Sequence, residues 1–330
     1  MQILARGLQS AVLAIVAIAL TSIAAVSPAF SQAPSSTWVK LSPSQKPSPR
    51  SNVAMVYDPI SQKTIMFGGY DGSKQLNETW TFDGTNWTKI KTSVQPKARA
   101  AAAAAYDKKL QQVVLFGGFD GKNYLNDTWM WNGATSTWTQ AAPVHQPVAV
   151  TLAMMYPDPI SGRVNLFGGY DGRFYQATTY RWANGDWHKH TPNPSPSARA
   201  AAVFGTDPVA KQTVMFGGLA DVRPGNTWTY DGHTWTQQSP ATQLSQRLNT
   251  GSAYDPRFGG VVAFGGFDGA DENETWLWSN NDWTQLAPQQ SPAPREQMGM
   301  AFDELHQQTV VFGGLSGQFL LQDTWALQTQ

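Results

Sequence analysis

The sequence predicts an all-β protein built as a six-bladed β-propeller, with four antiparallel strands in each blade. Three observations lead to this prediction. The string Phe-Gly-Gly occurs six times at spacings of 48 to 51 residues, and a fixed repeat of about this length is typical of propeller blades. Each unit shows the same order of short strand and turn signals. Gly (29), Pro (21) and Trp (14) are abundant while only 14% of residues are charged, which favours many short strands over helices.

The first two strands of a unit, named strands a and b, flank an aspartate turn. Strand a is a run of small or apolar residues, such as 100–105, because only small side chains leave room near a crowded central axis. A tight reversal follows, as in Tyr57-Asp58-Pro59, since Asp and Pro favour turns. Strand b is a short apolar run that ends in Phe-Gly-Gly, as in residues 64–69. Its lack of polar alternation predicts burial on both faces.

Strands c and d carry the large aromatic side chains. In strand c of the first unit, Trp80 and Phe82 lie two residues apart and therefore share one face. A turn containing Gly or Asn, such as Asp83-Gly84, leads to strand d. We expect these bulky residues to fill the wedge between neighbouring blades. Each strand d is marked by one tryptophan, at Trp87, Trp138, Trp187, Trp235 and Trp283.

The two ends of the chain are predicted to complete one blade together. The sixth unit stops after the strand-c residue Trp325 and has no tryptophan for strand d, whereas the segment 37–41 near the other end carries Trp38 in a strand-d pattern. Residues 37–41 would then close the ring, which ties down both termini and pairs an edge that would otherwise stay open. The predicted propeller domain is 32–330, with repeats at 48–91, 97–142, 147–191, 197–238, 245–287 and 293–330, the last completed by 37–41.

The repeat resembles the kelch repeat. A run of hydrophobic residues before a double Gly, followed by two aromatic residues separated by six, is the kelch pattern, and it is met by residues 64–69 with Trp80 and Trp87. Unit 2 has eight residues between Trp129 and Trp138, which predicts a longer c–d turn there. The resemblance covers the whole chain after the first 31 residues. It implies that the b–c loops and the d–a loops lie together on one face, the face that kelch domains commonly use for partners. The aromatic pair recurs at Tyr180/Trp187, Trp228/Trp235 and Trp276/Trp283.

Residues 1–31 are predicted to form a secretory signal peptide. Arg6 precedes an apolar run from 11 to 26, and small residues occupy the positions before a cleavage site after Ser31. The apolar run is shorter than the about 20 residues that span a bilayer. We therefore expect a periplasmic or extracellular monomer that keeps no membrane span after the signal is removed.

Composition excludes several classes of chemistry. The chain has no Cys, so disulfides, thiol catalysis and lipid attachment to Cys are all excluded. Lys and Arg (23) balance Asp and Glu (23), which leaves no basic footprint for a nucleic-acid partner. No cofactor is expected. His188 and His190 fall on one side of an outer strand, but two histidines do not make a zinc site, and no metal site is predicted.

Five of the six units place an arginine just before strand a, and five place a carboxylate or Asn just before strand c. Unit 3 lacks both, with Ala149 by count at the arginine position and Thr178 at the other, which suggests that the two positions contact each other. One interpretation is an arginine–carboxylate pair that ties the d–a loop to the b–c loop. The other is a ring of guanidinium groups that binds an anionic ligand. The arginines are Arg50, Arg99, Arg199, Arg247 and Arg295, and the acceptors are Glu78, Asp127, Asn226, Glu274 and Asp323.

The b–c loops are the most variable part of the units, and binding residues concentrate on loops held by a rigid scaffold. Aromatic side chains occur in these loops where a plain turn would carry Gly, Asn or Ser. Together with a neighbouring arginine they could form a platform for a sugar ring or a peptide, or they could pack between blades. Unit 3 is the first place to look for a ligand. The candidate ligand-binding residues in these loops are Tyr124, Arg173, Phe174, Tyr175 and Phe319.

Two functions remain open at this point. The first is an exported binding module for a protein or carbohydrate ligand, without catalytic residues. The second is a sugar-acting enzyme similar to the periplasmic sialic-acid mutarotases, which are also exported six-bladed kelch proteins. That resemblance implies acid–base work by a positioned arginine and carboxylate, for which Arg99 or Arg295 with Glu296 are candidates.

Overall fold

The computed structural model describes residues 35–329. They form six four-stranded antiparallel sheets and contain no helix. In every sheet the strands are hydrogen-bonded in the order a, b, c, d, and the innermost strands a pack side by side around a closed ring. The predicted fold class, a six-bladed β-propeller, is confirmed. The predicted signal peptide, residues 1–31, lies outside the described residues.

The strand bounds repeat closely from blade to blade. Strand a spans Ala54–Asp58, Ala103–Asp107, Met154–Pro157, Val203–Asp207, Gly251–Asp255 and Gly299–Asp303. Strand b spans Lys63–Phe67, Gln112–Phe116, Val164–Phe167, Gln212–Phe216, Gly260–Phe264 and Gln308–Phe312. Strand c spans Thr79–Phe82, Thr128–Asn132, Thr179–Ala183, Thr227–Tyr230, Thr275–Ser279 and Thr324–Thr329. Strand d spans Trp87–Ile90, Thr137–Gln140, Asp186–His190, Trp235–Gln238, Asp282–Leu286 and Ser36–Leu41. The b–c loop of blade 6 adds a short hairpin, Leu315–Ser316 with Phe319–Leu320.

The ring closes as predicted. Ser36–Leu41 pairs antiparallel with Thr324–Thr329, and Lys40 lies opposite Trp325 in the register. The strand begins one residue earlier than the predicted 37–41. Trp38 is fully buried within the core between blades 5 and 6.

The core consists of six wedges between neighbouring blades. In each wedge the phenylalanine of Phe-Gly-Gly stacks on the strand-d tryptophan of the next blade, so the two most regular aromatic positions of the repeat meet each other. Such tilted or edge-on pairs stabilise a core beyond the area that they bury. The pairs, with centroid distances of 4.9 to 5.9 Å, are Phe67–Trp138, Phe116–Trp187, Phe167–Trp235, Phe216–Trp283, Phe264–Trp38 and Phe312–Trp87.

The c–d turn of blade 2 is longer, as predicted. Six residues separate the cross-strand pair Trp131 and Trp138, whereas four separate the equivalent pair Phe82 and Trp87 of blade 1. The extra residues stay in the turn and leave Trp138 in its wedge.

The double glycine is required by the close approach of neighbouring blades. Gly68 and Gly69 have φ of +71° and +101°, and the N–H of Gly69 donates to the carbonyl of Arg99 in the next blade at 2.9 Å. A Cβ added to Gly68 would lie 2.5 Å from that carbonyl oxygen. Any other residue at this position would therefore be strained and would also collide with the backbone of the next blade.

A closed ring of backbone hydrogen bonds surrounds the central channel just before strand a. Six residues, one in each blade, have φ between 52° and 58°. The N–H of each donates to the carbonyl of its counterpart in the preceding blade at 2.8 to 3.0 Å, and the last bond joins Asn52 to Gln297. The six residues are Asn52, Ala101, Leu152, Ala201, Asn249 and Gln297. We call them the left-handed ring.

Candidate functional site

The b–c and d–a loops lie at one end of the propeller, because the strands of each blade run in alternating directions. We call this end the loop face. It also contains the left-handed ring, which precedes strand a. The opposite end carries the a–b and c–d turns, and we call it the turn face.

The five predicted arginines are buried beneath the loop face. Their side chains are 0 to 2% exposed. Each guanidinium donates to the carbonyl of the first glycine of Phe-Gly-Gly and to the predicted acceptor before strand c. Arg99 makes two bonds to Asp127, at 2.5 and 2.7 Å, and Arg295 makes two to Asp323, at 2.7 and 3.1 Å. The other pairs are Arg50–Glu78 at 2.7 Å, Arg247–Glu274 at 2.7 Å and Arg199–Asn226 at 3.0 Å.

The same acceptor also anchors the first tryptophan of strand c. Trp80 Nε1 donates to Glu78 at 3.1 Å, and Trp129 Nε1 donates to Asp127 at 2.7 Å. Burial by itself raises the pKa of Glu78, but hydrogen bonds from Lys89, Arg50 and Trp80 together outweigh it and lower the pKa to about 2. The carboxylate is therefore ionised at neutral pH and accepts from several donors at once. Blades 5 and 6 repeat this arrangement with Trp276–Glu274 and Trp325–Asp323.

Blades 3 and 4 depart from this pattern. The arginine position of blade 3 is occupied by Val150 and not by Ala149, because the carbonyl of Val150 accepts from the second glycine of blade 2 as the arginine carbonyls do elsewhere. Counting residues missed this by one. Thr178 takes the acceptor position, as predicted. In blade 4 the neutral Asn226 accepts from Arg199, the pKa of Arg199 falls to about 10 through burial, and the buried Trp228 Nε1 has no partner within 35–329.

The buried arginines hold the b–c loops in place from below. Their donors are engaged by backbone carbonyls and by side chains of their own blades, except Arg247 Nε, which has no partner within residues 35–329. The pairing interpretation is therefore the one that this geometry supports. Direct contact between these five guanidinium groups and a ligand stays a prediction.

Tyr124 and Tyr175 belong to a continuous row of aromatic rings on the loop face. Phe119 stacks on Tyr124 at 5.1 Å, Tyr124 meets Tyr170 edge-on at 6.0 Å, and Tyr170 stacks on Tyr175 at 5.1 Å. We call these four residues of blades 2 and 3 the aromatic row. All four are partly exposed. The hydroxyls of Tyr124, Tyr170 and Tyr175 make no hydrogen bond with other described residues and can bind a ligand.

Local turn chemistry fixes the row. Asp120 and Asp171 each accept backbone N–H bonds from the residues two and three positions later, which folds each b–c loop into a small hairpin. The hairpin of blade 3 approaches Tyr124 so closely that a Cβ added to Gly172 would lie 2.4 Å from the tyrosine ring. The rings are therefore held in position before any ligand arrives.

Arg173, Phe174 and Phe319 lie farther out on the same face. The Arg173 guanidinium stacks over the Phe174 ring at 4.8 Å, and Phe174 remains 57% exposed. Phe319 lies at the tip of the blade 6 hairpin and is 77% exposed. The structure thus places Tyr124 and Tyr175 in one row of rings and brings Arg173 into contact with Phe174. Phe319 belongs to a separate blade.

A depression of about 380 Å³ lies beside the aromatic row, above the left-handed ring. Tyr70, Phe119 and Tyr124 form its aromatic wall, and Asn52 and Gln297 belong to its polar side. Asn52 donates to Gln297 Oε1 at 2.7 Å, and in the adjoining sector Asn249 donates to Glu296 at 2.9 Å. The depression therefore combines aromatic surface with amide groups, a composition typical of binding pockets.

Sequence reasoning missed part of this site. Tyr70, Phe119 and Tyr170 directly follow Phe-Gly-Gly in blades 1 to 3, so the position after the double glycine was the available signal. The amides of Asn52 and Gln297 gave no such signal, because their role depends on a left-handed backbone that the sequence does not display.

Two further findings concern the part of the chain that the structure describes. No cluster of three or more His, Cys, Asp or Glu side chains is placed to hold a metal ion. Among residues 35–329 there is also no helix with the length and apolar character needed to cross a membrane.

Fold and repeat together define a six-bladed β-propeller whose blades are joined by arginine-anchored loops. A protein-family model, the KLHDC2/KLHL20/DRC7 Kelch-repeats domain, matches residues 30–218, which is more than half of the chain. The chain belongs to this Kelch-repeat family. A search of curated proteins gave no match.

Proposed function

We propose that this protein is an exported binding module that recognises a protein or carbohydrate ligand on the loop face. Kelch-repeat propellers are typically protein-interaction scaffolds. To this general role the proposal adds the face that binds, the classes of ligand and the compartment in which the protein acts.

The aromatic row is the observation on which the proposal rests. Four aromatic rings in contact with one another form a surface with three uncommitted tyrosine hydroxyls, beside a depression that contributes amide groups. Tyrosine combines a rigid apolar ring with a polar tip, so a tyrosine surface can stack on a sugar ring or on a peptide side chain and also donate a hydrogen bond. The buried arginine pairs keep the loops rigid, which lowers the entropic cost of binding.

Export to the periplasm or beyond is proposed from the sequence of residues 1–31. The propeller has no cysteine, so in that location its stability would depend on the wedges between blades and on no disulfide.

The enzyme alternative has less support. The donors of Arg99 and Arg295 are engaged by Asp127 and Asp323, so neither arginine is free to act with a nearby carboxylate. Glu296 is the candidate carboxylate for acid–base catalysis in this alternative. Burial raises its pKa, while it accepts a hydrogen bond from Asn249. A mutarotase-like activity therefore remains an alternative that an assay of anomer interconversion on N-acetylneuraminic acid would test.

Array binding of the mature chain, residues 32–330, tests the main proposal. Glycan and peptide arrays are probed with the unaltered protein and with a Tyr124→Ala/Tyr175→Ala variant. We expect hits in one ligand class and a loss of at least about tenfold in affinity for the variant, since aromatic contacts commonly dominate binding energy. Val209→Ser is the matched control, because Val209 is 80% exposed on the turn face. Binding that survives in the double variant would place the site elsewhere.

A further inference from the structure

The turn face has a second and larger cavity, which the proposed function does not use. It is a funnel of about 850 Å³ at the other end of the central channel, within the range typical of small-ligand sites. We propose that this funnel is a binding site for a small neutral saccharide, of one or two sugar units. The inference does not depend on ligand binding at the loop face.

Four aromatic residues, in four consecutive blades, line the funnel. Tyr254, Phe302, Tyr57 and Tyr106 occupy the same position of strand a in blades 5, 6, 1 and 2, directly before the turn aspartate. Blades 3 and 4 have the smaller Pro157 and Thr206 there. Aromatic side chains therefore occupy four of the six blades, and smaller side chains complete the wall in blades 3 and 4, so that one face of a sugar ring could lie against the aromatic part.

The wall also offers hydrogen-bond donors that no described residue uses. Tyr106 and Tyr254 are partly exposed, and their hydroxyls have no partner within residues 35–329. Burial raises the pKa of both tyrosines, so both hydroxyls keep their protons at neutral pH. Tyr57 is different, because its hydroxyl accepts the N–H of Leu305 at 3.1 Å and its ring is thereby fixed. Stacking surface with free hydroxyl groups suits a polyhydroxylated ring better than an entirely apolar ligand.

Charges at the rim do not favour an ionic ligand. Lys108 and Lys109 lie on one side, and burial raises the pKa of Glu304, although its carboxyl group also interacts with the Lys108 ammonium. The only other acidic group of the lining, Asp158, is paired with Arg181 at 2.7 Å. The lysines are exposed to solvent, where their charge is screened.

The base of the funnel is apolar. Met55, Phe204 and Met300 line both the funnel and the narrower channel of about 160 Å³ that continues towards the left-handed ring. A saccharide would enter from the turn face with its less polar edge toward these side chains. Exposed aliphatic residues at the turn tips, including Ile60 and Ile160, would instead suit an apolar peptide. That class of ligand is an outcome that the experiment must separate.

The test uses the mature chain and defined probes. Titration calorimetry and saturation-transfer NMR are run with maltose, cellobiose and N,N′-diacetylchitobiose, with N-acetylneuraminic acid as the charged probe and a Leu-rich peptide as the apolar probe. We expect millimolar or tighter binding of at least one neutral disaccharide. Tyr106→Phe/Tyr254→Phe removes only the two hydroxyls and should weaken binding by at least about tenfold, since each lost hydrogen bond costs several-fold in affinity.

The controls separate the two faces. Tyr175→Phe removes a hydroxyl from the aromatic row and therefore reports any disaccharide that binds on the loop face. Val144→Ser, at a residue of a d–a loop that is 86% exposed, is the control that should leave disaccharide binding unchanged, and thermal unfolding shows whether each variant keeps its fold. The proposal is overturned if no neutral disaccharide binds when its concentration is raised to about 20 mM, which is well above the millimolar dissociation constant that we expect. It is also overturned if the charged or apolar probe binds more tightly than every neutral disaccharide, or if the loss follows Tyr175→Phe and not the funnel variant.

Discussion

The indole Nε1 of Trp38 donates a hydrogen bond of 3.0 Å to Thr275 Oγ1, across 237 residues of sequence. The bond joins strand d of blade 6 to the first residue of strand c in blade 5. Four other tryptophans of strand d make the same bond to the preceding blade, at Trp87–Thr324, Trp138–Thr79, Trp187–Thr128 and Trp283–Thr227. The ring closure thus uses the same bond as the wedges within the continuous chain. Trp235 and Thr179, between blades 3 and 4, are the exception, and their polar atoms have no described partner.

Deleting residues 36–41 should destabilise the whole propeller. The deletion removes Trp38 from the wedge between blades 5 and 6 and exposes the backbone edge of Thr324–Thr329 to other molecules. We expect a fall in the thermal midpoint of more than about 10 °C together with aggregation, measured by calorimetry and light scattering.

Two single substitutions separate the lost hydrogen bond from the lost strand. Trp38→Phe and Trp138→Phe each remove one Trp–Thr bond and leave the strand in place. Each should lower the free energy of unfolding by about 1–3 kcal/mol, because each leaves a buried threonine hydroxyl without its donor and reduces packing. The two losses should be similar. A deletion no more harmful than Trp38→Phe would show that ring closure contributes little.

Asn226→Asp should stabilise the protein. In four blades a carboxylate accepts from both the arginine and the first tryptophan of strand c, whereas Asn226 accepts only from Arg199 and leaves Trp228 Nε1 unpaired. The substitution keeps the size of the side chain and supplies the missing charge. We expect a gain of about 1–2 kcal/mol in the free energy of unfolding at pH 7, measured with urea.

The pH dependence of that gain has a definite sign. The new carboxylate beside Arg199 should have a pKa below its unfolded value, so its contribution is present above the unfolded pKa and is lost as the pH falls through the folded one. Asn132→Asp is the matched control, because Asn132 caps an outer turn through backbone N–H groups. An equal gain in both variants would argue against the pairing with Arg199.

Removing one partner of an arginine pair should cost more than removing both. Asp127→Ala leaves Arg99 buried without a counter-charge, for a loss of about 3 kcal/mol. Arg99→Val/Asp127→Thr copies the residues Val150 and Thr178 that blade 3 already uses at the same positions. We expect the double variant to recover at least half of the loss in urea unfolding. A double variant less stable than Asp127→Ala would contradict this prediction. It would mean that Arg99 stabilises the fold by its packing and its bonds to backbone carbonyls even when Asp127 is absent.

Acid should weaken the protein in a defined window. The pKa of Glu78 is lowered from 4.5 in the unfolded chain to about 2 in the fold, so its contribution is complete above pH 4.5 and disappears as the pH falls toward 2. Urea midpoints of the native protein should decline across this window. Glu78→Gln should be less stable at pH 7 and should show a shallower decline, whereas parallel curves for the two proteins would contradict the assignment.

The sequence was sufficient for the fold because each repeated residue has a repeated contact. The phenylalanine of Phe-Gly-Gly meets the strand-d tryptophan in every wedge, so one pattern specified all six. Closure by Trp38 could be predicted since the last blade lacked this partner. Counting over whole units missed Val150, because the longer c–d turn of blade 2 shifts its position within the unit. Counting from the strand-d tryptophan would have found it, since Trp138 and Val150 are 12 residues apart, as are Trp87 and Arg99.

The candidate site was only partly predictable. Tyr124 and Tyr175 stood out as aromatic residues within turns, and the structure places both in one row. That row depends on Phe119 and Tyr170, whose sequence context resembled the end of a buried strand, and on contacts between blades that no local pattern encodes. The funnel on the turn face was missed for a similar reason. Its tyrosines were explained by the aspartate turns that follow them, and their convergence appears only when six blades form a ring.

Ala101→Gly should make the protein more stable, although glycine usually destabilises. Ala101 belongs to the left-handed ring with φ of 52°, a conformation that costs an L-residue about 1–2 kcal/mol and costs glycine almost nothing. Glycine's larger unfolded-state entropy offsets about 0.5–1 kcal/mol of this relief, so the net gain should be up to about 1 kcal/mol. Ala104→Gly, in the neighbouring strand a, is the matched control and should lose stability. Urea unfolding of both variants measures the difference, and a loss in Ala101→Gly as large as that in Ala104→Gly would show that the ring stores no backbone strain.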